Sequence, residues 1–202
     1  MANLNINKFI EKSEVEGPGN RFVIWFQGCT INCFGCCNQE LVPLEKKMFM
    51  SVDILVEKIL ISKKMYNLEG ITIIGGEPFL QPDGLEELVI KCQEYELSVI
   101  CFTGFTFEVL ENHYWQILSQ IDILIDGPFI LSKLDKKRRL IGSTNQRVIK
   151  ITDKYKESNY FDEQNQELEI FVENGFININ GDGVLTENSI GINKFKVNDE
   201  HK

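Results

Sequence analysis

The sequence predicts an α/β chain: an open, partial (β/α) barrel of mostly parallel strands, followed by a small C-terminal extension. Two observations carry this. Short apolar, strand-like runs alternate with amphipathic helical stretches, the pattern of right-handed βαβ units that lay parallel strands side by side. There are about five such runs, too few for a closed eight-stranded barrel.

Taken in order, RFVIWF (Arg21–Phe26) is short, apolar and rich in β-branched and aromatic residues, so it reads as a buried strand. The turn signal Gly17-Pro18-Gly19 opens it. The following GCTINCFGCCNQE is too rich in Gly, Asn and Cys for regular structure, which puts a cysteine loop at the carboxyl end of that strand. Active sites of α/β folds collect at such ends. Ser51 to Met65 reads as a helix, N-capped by Ser51, with Val52, Leu55, Val56 and Ile59 along one face. ITII after Gly70 is a second strand, ending in Gly75-Gly76-Glu77-Pro78. Asp83 to Glu94 reads as a helix with Leu85, Leu88, Val89 and Cys92 on one face. LSVICF is a third strand, ending at Thr103-Gly104, and a helical stretch from Thr106 to Ser119 follows. IDILI is a fourth strand, ending at Asp126-Gly127-Pro128, and RVIKI (Arg147 to Ile151) is a fifth. From about residue 155 Asp, Glu and Asn dominate, with one strand-like patch, FINI, near Gly181-Asp182-Gly183. The expected organisation is a core over 1–154 and an extension over 155–202, β-rich or partly disordered, with a frayed end.

With 202 residues, 43% of them hydrophobic and 25% charged, the chain can bury a substantial core. No run of about 18 apolar residues suggests a transmembrane helix. The N-terminal MANLNINKFIEKSEVEG lacks the basic and apolar blocks of a signal peptide, so a cytoplasmic location is expected. A net charge of −9 speaks against a nucleic-acid partner, which calls for a basic surplus. The basic cluster Lys133, Lys136, Lys137, Arg138 and Arg139 reads first as a solvated loop and second as a partner or anion contact.

Four of the six cysteines fall within nine residues, at 29, 33, 36 and 37. Such clustering points to a metal or to catalysis, not to a disulfide scaffold. The spacing C-x3-C-x2-C supplies three thiolates from one loop. Iron–sulfur clusters are held by thiolates, commonly four, so three ligands leave one iron open to a substrate, as catalytic zinc sites keep one position open. Structural zinc is the competing reading, but the second paired element that it usually needs is missing from the sequence. Cys37 reads as a small neighbour of the site, and Cys92 and Cys101 as core. Gly75 and Gly76 would let a ligand approach the backbone closely, with Glu77 offering a carboxylate to a cation or an amine. Thr103 and Asp126 place polar groups at the ends of the next two strands, although Asp126 reads equally well as a cap or turn former. His113 and His201 make no site, so Ser–His or Cys–His catalysis has little support.

GCTINCFGC with Asn38, followed by GGEP at Gly75 to Pro78, resembles the radical S-adenosylmethionine (radical SAM) superfamily. The chain is more closely similar to the branch that activates anaerobic ribonucleotide reductase and other glycyl radical enzymes. The further marks are Gly17-Pro18-Gly19 with Arg21, TGF at Thr103 to Phe105, DGPF at Asp126 to Phe129, and GSTNQR at Gly142 to Arg147. The resemblance implies a 4Fe-4S cluster on Cys29, Cys33 and Cys36, with S-adenosyl-L-methionine on the remaining iron. It implies that Gly75, Gly76 and Glu77 form the turn that holds the methionyl amine, with Thr103 and Asp126 near the methionyl carboxylate. It further implies a 5′-deoxyadenosyl radical, a glycyl radical enzyme as protein partner, and an electron donor such as flavodoxin or ferredoxin. A radical enzyme for a small molecule or peptide is one alternative, in which the extension would serve the substrate. A non-catalytic electron-transfer or sensing module is the other. Cys37 stands where relatives often carry an aromatic residue, and Phe105 where they often carry tyrosine.

Overall fold

The computed structural model describes residues 2–162, 167–173 and 176–181. The elements are β1 (Asn3–Ser13), β2 (Arg21–Phe26), β3 (Met48–Ser51), α1 (Val52–Tyr66), β4 (Gly70–Gly75) and α2 (Pro82–Glu94). They continue with β5 (Ser98–Phe102), α3 (Phe107–Leu118), β6 (Ile123–Asp126), β7 (Arg147–Lys150), β8 (Leu168–Glu173) and β9 (Phe176–Gly181). Seven strands form one sheet in the order β3-β1-β2-β4-β5-β6-β7. Its centre, β2-β4-β5-β6, is parallel throughout. Among the described residues nothing pairs β3 with β7, so the sheet is open at both edges.

The predicted βαβ alternation therefore holds at the centre, and antiparallel strands flank it. Strand β1 pairs antiparallel with both β2 and β3. Neither strand β1 nor β3 is among the predicted runs, and in β1 Lys, Glu and Asn obscure the strand pattern. Strand β1 carries only two fully buried anchors in the core, Leu4 and Ile6. The predicted fifth strand is β7, and it runs antiparallel to β6: the connection between them holds only a short 3-10 turn, Leu131–Lys133, and no crossover α-helix to carry the chain back for a parallel strand.

Local chemistry explains the helix ends. The Ser51 hydroxyl accepts from the Ile54 N–H at 3.4 Å, Pro82 opens α2 where its missing N–H costs nothing, and α1 stops at Asn67 with φ +51°. Side chains alternate across the parallel strands. Phe22, Ile24, Phe26, Ile71, Ile73, Val99, Cys101 and Leu124 pack against the helices. Ile100, Ile123 and Ile125 form a second cluster with Ile141, Tyr155 and Phe161, and Val23 and Trp25 form a third with Leu41. Each fully buried aliphatic side chain stabilises by about 1.5–3 kcal/mol before entropy is charged against it.

Arg21 plugs the amino end of the parallel strands. Its fully buried guanidinium donates to Thr72 Oγ1 at 2.7 Å, to Pro18 O and Ser98 Oγ at 3.1 Å, and to the Ile71 and Ser98 carbonyls. The Tyr155 and Ser98 hydroxyls bond at 2.8 Å, and Tyr155 also reaches Glu69. A buried charge is tolerable when its donors are satisfied in this way. The segment from 155 thus begins inside the core, through Tyr155 and Phe161. Beyond it, β8 and β9 form an antiparallel pair that includes the predicted FINI strand. The Asp182-Gly183 turn and the expected frayed tail lie outside the described residues.

Candidate metal centre

The carboxyl ends of β2, β4, β5 and β6 gather on one side of the sheet. The cysteine loop leaves β2 there and is pinned along its base. Gly28 N–H donates to Leu41 O at 2.8 Å and Cys29 N–H to Val42 O at 3.0 Å. The Gln27 side-chain amide donates to Pro43 O at 2.7 Å. Positive φ at Gly28 (+99°), Asn32 (+54°) and Gly35 (+76°) lets the loop curl back on itself. Cys36 N–H then donates to Cys33 O at 3.2 Å. The result is that Cys29, Cys33 and Cys36, with Cys37 next to them, line one cavity of about 540 Å³.

Gly75, Gly76, Glu77, Thr103 and Gly127 line the same cavity. The glycines at the end of β4 are sterically required. Gly75 has φ +114°, and a Cβ on Gly76 would meet Gly28 O at 2.2 Å. Gly76 N–H donates to Phe26 O and Glu77 N–H to Gly28 O, both at 2.8 Å, so the turn lies flat against the cysteine loop.

Glu77 is fully buried. Its Oε1 accepts from Thr103 Oγ1 at 2.8 Å and from Phe79 N–H at 3.0 Å, and its Oε2 from Gly104 N–H at 2.9 Å. Burial pushes its pKa up, and the hydrogen bonds from Gly104, Phe79 and Thr103 pull against that. The carboxylate expected to meet a cation or an amine is therefore committed inside the fold, tying the end of β4 to the end of β5. Asp126 is also turned away. Its carboxylate accepts from Phe107 N–H at 2.7 Å, at the start of α3, and pairs with Arg147. The capping reading of Asp126 describes this geometry, and its neighbour Gly127 takes the place on the cavity wall.

The donor set fits an iron–sulfur cluster: three soft sulfur donors from one glycine-hinged loop. Among the described residues, no three His, Cys, Asp or Glu side chains converge as a single metal ion would require. Burial, reinforced by the neighbouring thiols, pushes the Cys33 and Cys36 thiols up. In the bare loop these two thiols hold their protons more tightly than an exposed cysteine does, and binding a cluster must displace them. Cys37 lies beside them, exposed, while Cys92 and Cys101 are buried as expected.

Residues 15–149 match the family described as 4Fe-4S single cluster domain. The chain belongs to this family. The anaerobic ribonucleoside-triphosphate reductase-activating protein of Vibrio cholerae serotype O1 is 27% identical over 156 residues, covering 74% of this chain and 99% of that protein. The pyruvate formate-lyase-activating enzyme of Staphylococcus aureus USA300 is 30% identical over 148 residues, covering 69% of this chain and 58% of that enzyme. Among solved structures, QueE from Escherichia coli overlaps with a TM-score of 0.45 at 14% identity, covering 64% of this chain and 73% of that one. Together with the motifs, the cluster-domain match and the activating-protein relatives make this chain a radical SAM enzyme of the activating type, with a 4Fe-4S cluster and S-adenosylmethionine as cofactors. Among the described residues no helix is long and apolar enough to cross a membrane.

Two cations of the predicted basic loop are engaged within the chain, one inside the cluster domain and one with the segment that follows it. Arg138 Nε pairs with Asp135 at 2.7 Å, and Arg139 lies 4.3 Å from the Tyr160 ring centroid while pairing with Glu167. Sequence reasoning missed Glu16 and the three residues Ile179, Asn180 and Gly181, all of which line the cavity. Nothing local marks them, because they arrive through chain segments far apart in sequence.

Proposed function

We propose that this chain generates a radical from S-adenosylmethionine and uses it to take hydrogen from a glycine of a partner glycyl radical enzyme. The observation that carries the reading is a single cavity lined by the four cysteines of one loop, Cys29, Cys33 and Cys36 of the C-x3-C-x2-C spacing among them, together with the Gly75-Gly76-Glu77 turn and Thr103. When bound, the cluster would supply the one electron that breaks the sulfonium bond to C5′.

The chain's own residues supply placement. Cys29, Cys33 and Cys36 would hold the cluster as thiolates. Gly75 and Gly76 bring the backbone of β4 close enough for a ligand amine to meet carbonyl oxygens. Glu77 and Thr103 fix the spacing of the β4 and β5 ends from behind. Trp25, Ile74, Phe102 and Phe129 give the cavity an apolar wall that keeps water from a reactive intermediate. The names of the relatives support a protein partner. A flavodoxin or ferredoxin is the proposed donor and the cytoplasm, where thiols stay reduced, the proposed compartment.

The test is anaerobic reconstitution with iron and sulfide, addition of dithionite and S-adenosylmethionine, and quantification of 5′-deoxyadenosine. Loaded wild type is expected to form it and Cys33→Ala to fall to background. Electron paramagnetic resonance of a mixture with a class III ribonucleotide reductase should then show a glycyl radical. Product that persists in Cys33→Ala would overturn the cluster assignment, and a missing glycyl signal would overturn the choice of partner.

A further inference from the structure

Strand β9 brings Ile179, Asn180 and Gly181 to the cavity that the cysteine loop lines. These residues lie beyond the stretch 15–149 that matches the cluster-domain family. The β8–β9 pair is fastened to the rim at several points. Glu169 accepts from the Ser13 hydroxyl at 2.7 Å and from Glu14 N–H at 2.8 Å. Gly181 N–H donates to Glu16 Oε1 at 2.9 Å, and Glu167 pairs with Arg139. The pair is thus a wall of the site.

Asn180 is 5% exposed, and among the described residues its side-chain Nδ2 has no hydrogen-bond partner. A buried amide donor left unpaired costs free energy that an acceptor entering the cavity would recover, and of the buried unpaired side-chain atoms among the described residues, which also include those of Ser62, Arg139 and Asn145, only that of Asn180 belongs to a residue lining this cavity. The cavity's charge narrows what that acceptor is. Its walls hold the carboxylates of Glu16 and Glu40, and its lysine, Lys8, rests 4.6 Å from the Trp25 ring centroid. An anionic acceptor would meet a wall of its own sign, whereas a neutral carbonyl would not.

We propose that the β8–β9 pair is a substrate-recognition wall added to the cluster domain, and that Asn180 donates its amide Nδ2–H to a backbone carbonyl of a peptide segment entering the cavity. This rests on the reading that the cavity receives a glycine of a protein substrate, and it names one residue that would hold that segment. Asn180 is accordingly a positioning residue.

The probe is N-acetylglycine N-methylamide, the smallest molecule with a peptide carbonyl on each side of a glycine. It is titrated into the ¹⁵N-labelled full chain, both metal-free and cluster-loaded. The side-chain amide resonances that vanish in Asn180→Leu are expected to move saturably with the probe. Asn180→Leu should melt no lower than wild type, since the donor serves no partner among the described residues. Asn180→Asp, which keeps the shape and loses the donor, should weaken probe binding at least tenfold. The proposal is overturned if those resonances stay fixed up to the solubility limit and show only exchange with water. It is overturned equally if they respond to S-adenosylmethionine alone, or if Asn180→Leu lowers the melting temperature. The titration needs no turnover, so an absence of Cys33-dependent 5′-deoxyadenosine would sink the radical reading without touching this result.

Discussion

Glu77 shows how much chemistry a single position can conceal. Its two oxygens accept from three donors, those of Thr103, Phe79 and Gly104. Glutamine keeps the shape but turns one acceptor into a donor facing donors. Glu77→Gln is therefore expected to destabilise the chain by about 1–3 kcal/mol in urea unfolding. Burial raises the folded pKa above the unfolded one, so the cost of the buried charge is present at neutral pH and is relieved as pH falls through the raised value. A ¹³C titration should find this carboxyl ionising above the ordinary glutamate value, and a value below it would refute the assignment. Thiol reactivity follows the same logic of environment. Burial pushes Cys92 up to about 12 and Cys101 well above its ordinary value. Iodoacetamide labelling of the metal-free chain should modify exposed Cys37 first, and Cys92 and Cys101 only on unfolding.

At the scale of elements, Arg147 staples three of them. From β7 it pairs with Asp126 at the end of β6 and, through two contacts at 2.8 and 2.9 Å, with Glu108 in α3. Asp126 is 1% exposed, so removing the arginine strands a buried carboxylate. Because Arg147 itself is 46% exposed, solvent screens part of the loss. Arg147→Ala is expected to cost about 2 kcal/mol by chemical denaturation. The sequence marked both residues through DGPF and GSTNQR, and the strands and helices around them were legible from their periodicity. What no local pattern showed was that Asp126 and Arg147 meet, since the antiparallel pairing of β6 and β7 alone puts them opposite each other.

For the whole molecule, the position of residue 155 matters most. A division of the chain at 154 removes Tyr155 from the Arg21 plug and Phe161 from the cluster around Ile100 and Ile125. Losing two buried aromatic side chains costs about 6 kcal/mol or more, comparable to the entire stability of a domain. A chain ending at Lys154 should show no cooperative melting transition by circular dichroism, whereas one ending at Asp162 should retain one. We accordingly propose that the core runs to Asp162 and the added wall begins with β8. A folded, cooperative 1–154 fragment would refute this division.

The cysteine spacing, the glycine turn and the parallel centre of the sheet were legible in the sequence alone. Each depends on residues adjacent in the chain: the cysteine spacing of one loop, the steric freedom of Gly75 and Gly76, and the periodicity of single elements. Tertiary structure decided the rest. It turned the Glu77 and Asp126 carboxylates inward, buried Arg21 as a plug, added β1 and β3, set the predicted β7 antiparallel to β6, and placed Asn180 on the cavity wall. Those outcomes depend on which distant segments share a surface. Burial and pairing are properties of the packed chain that residue order specifies only through the whole fold.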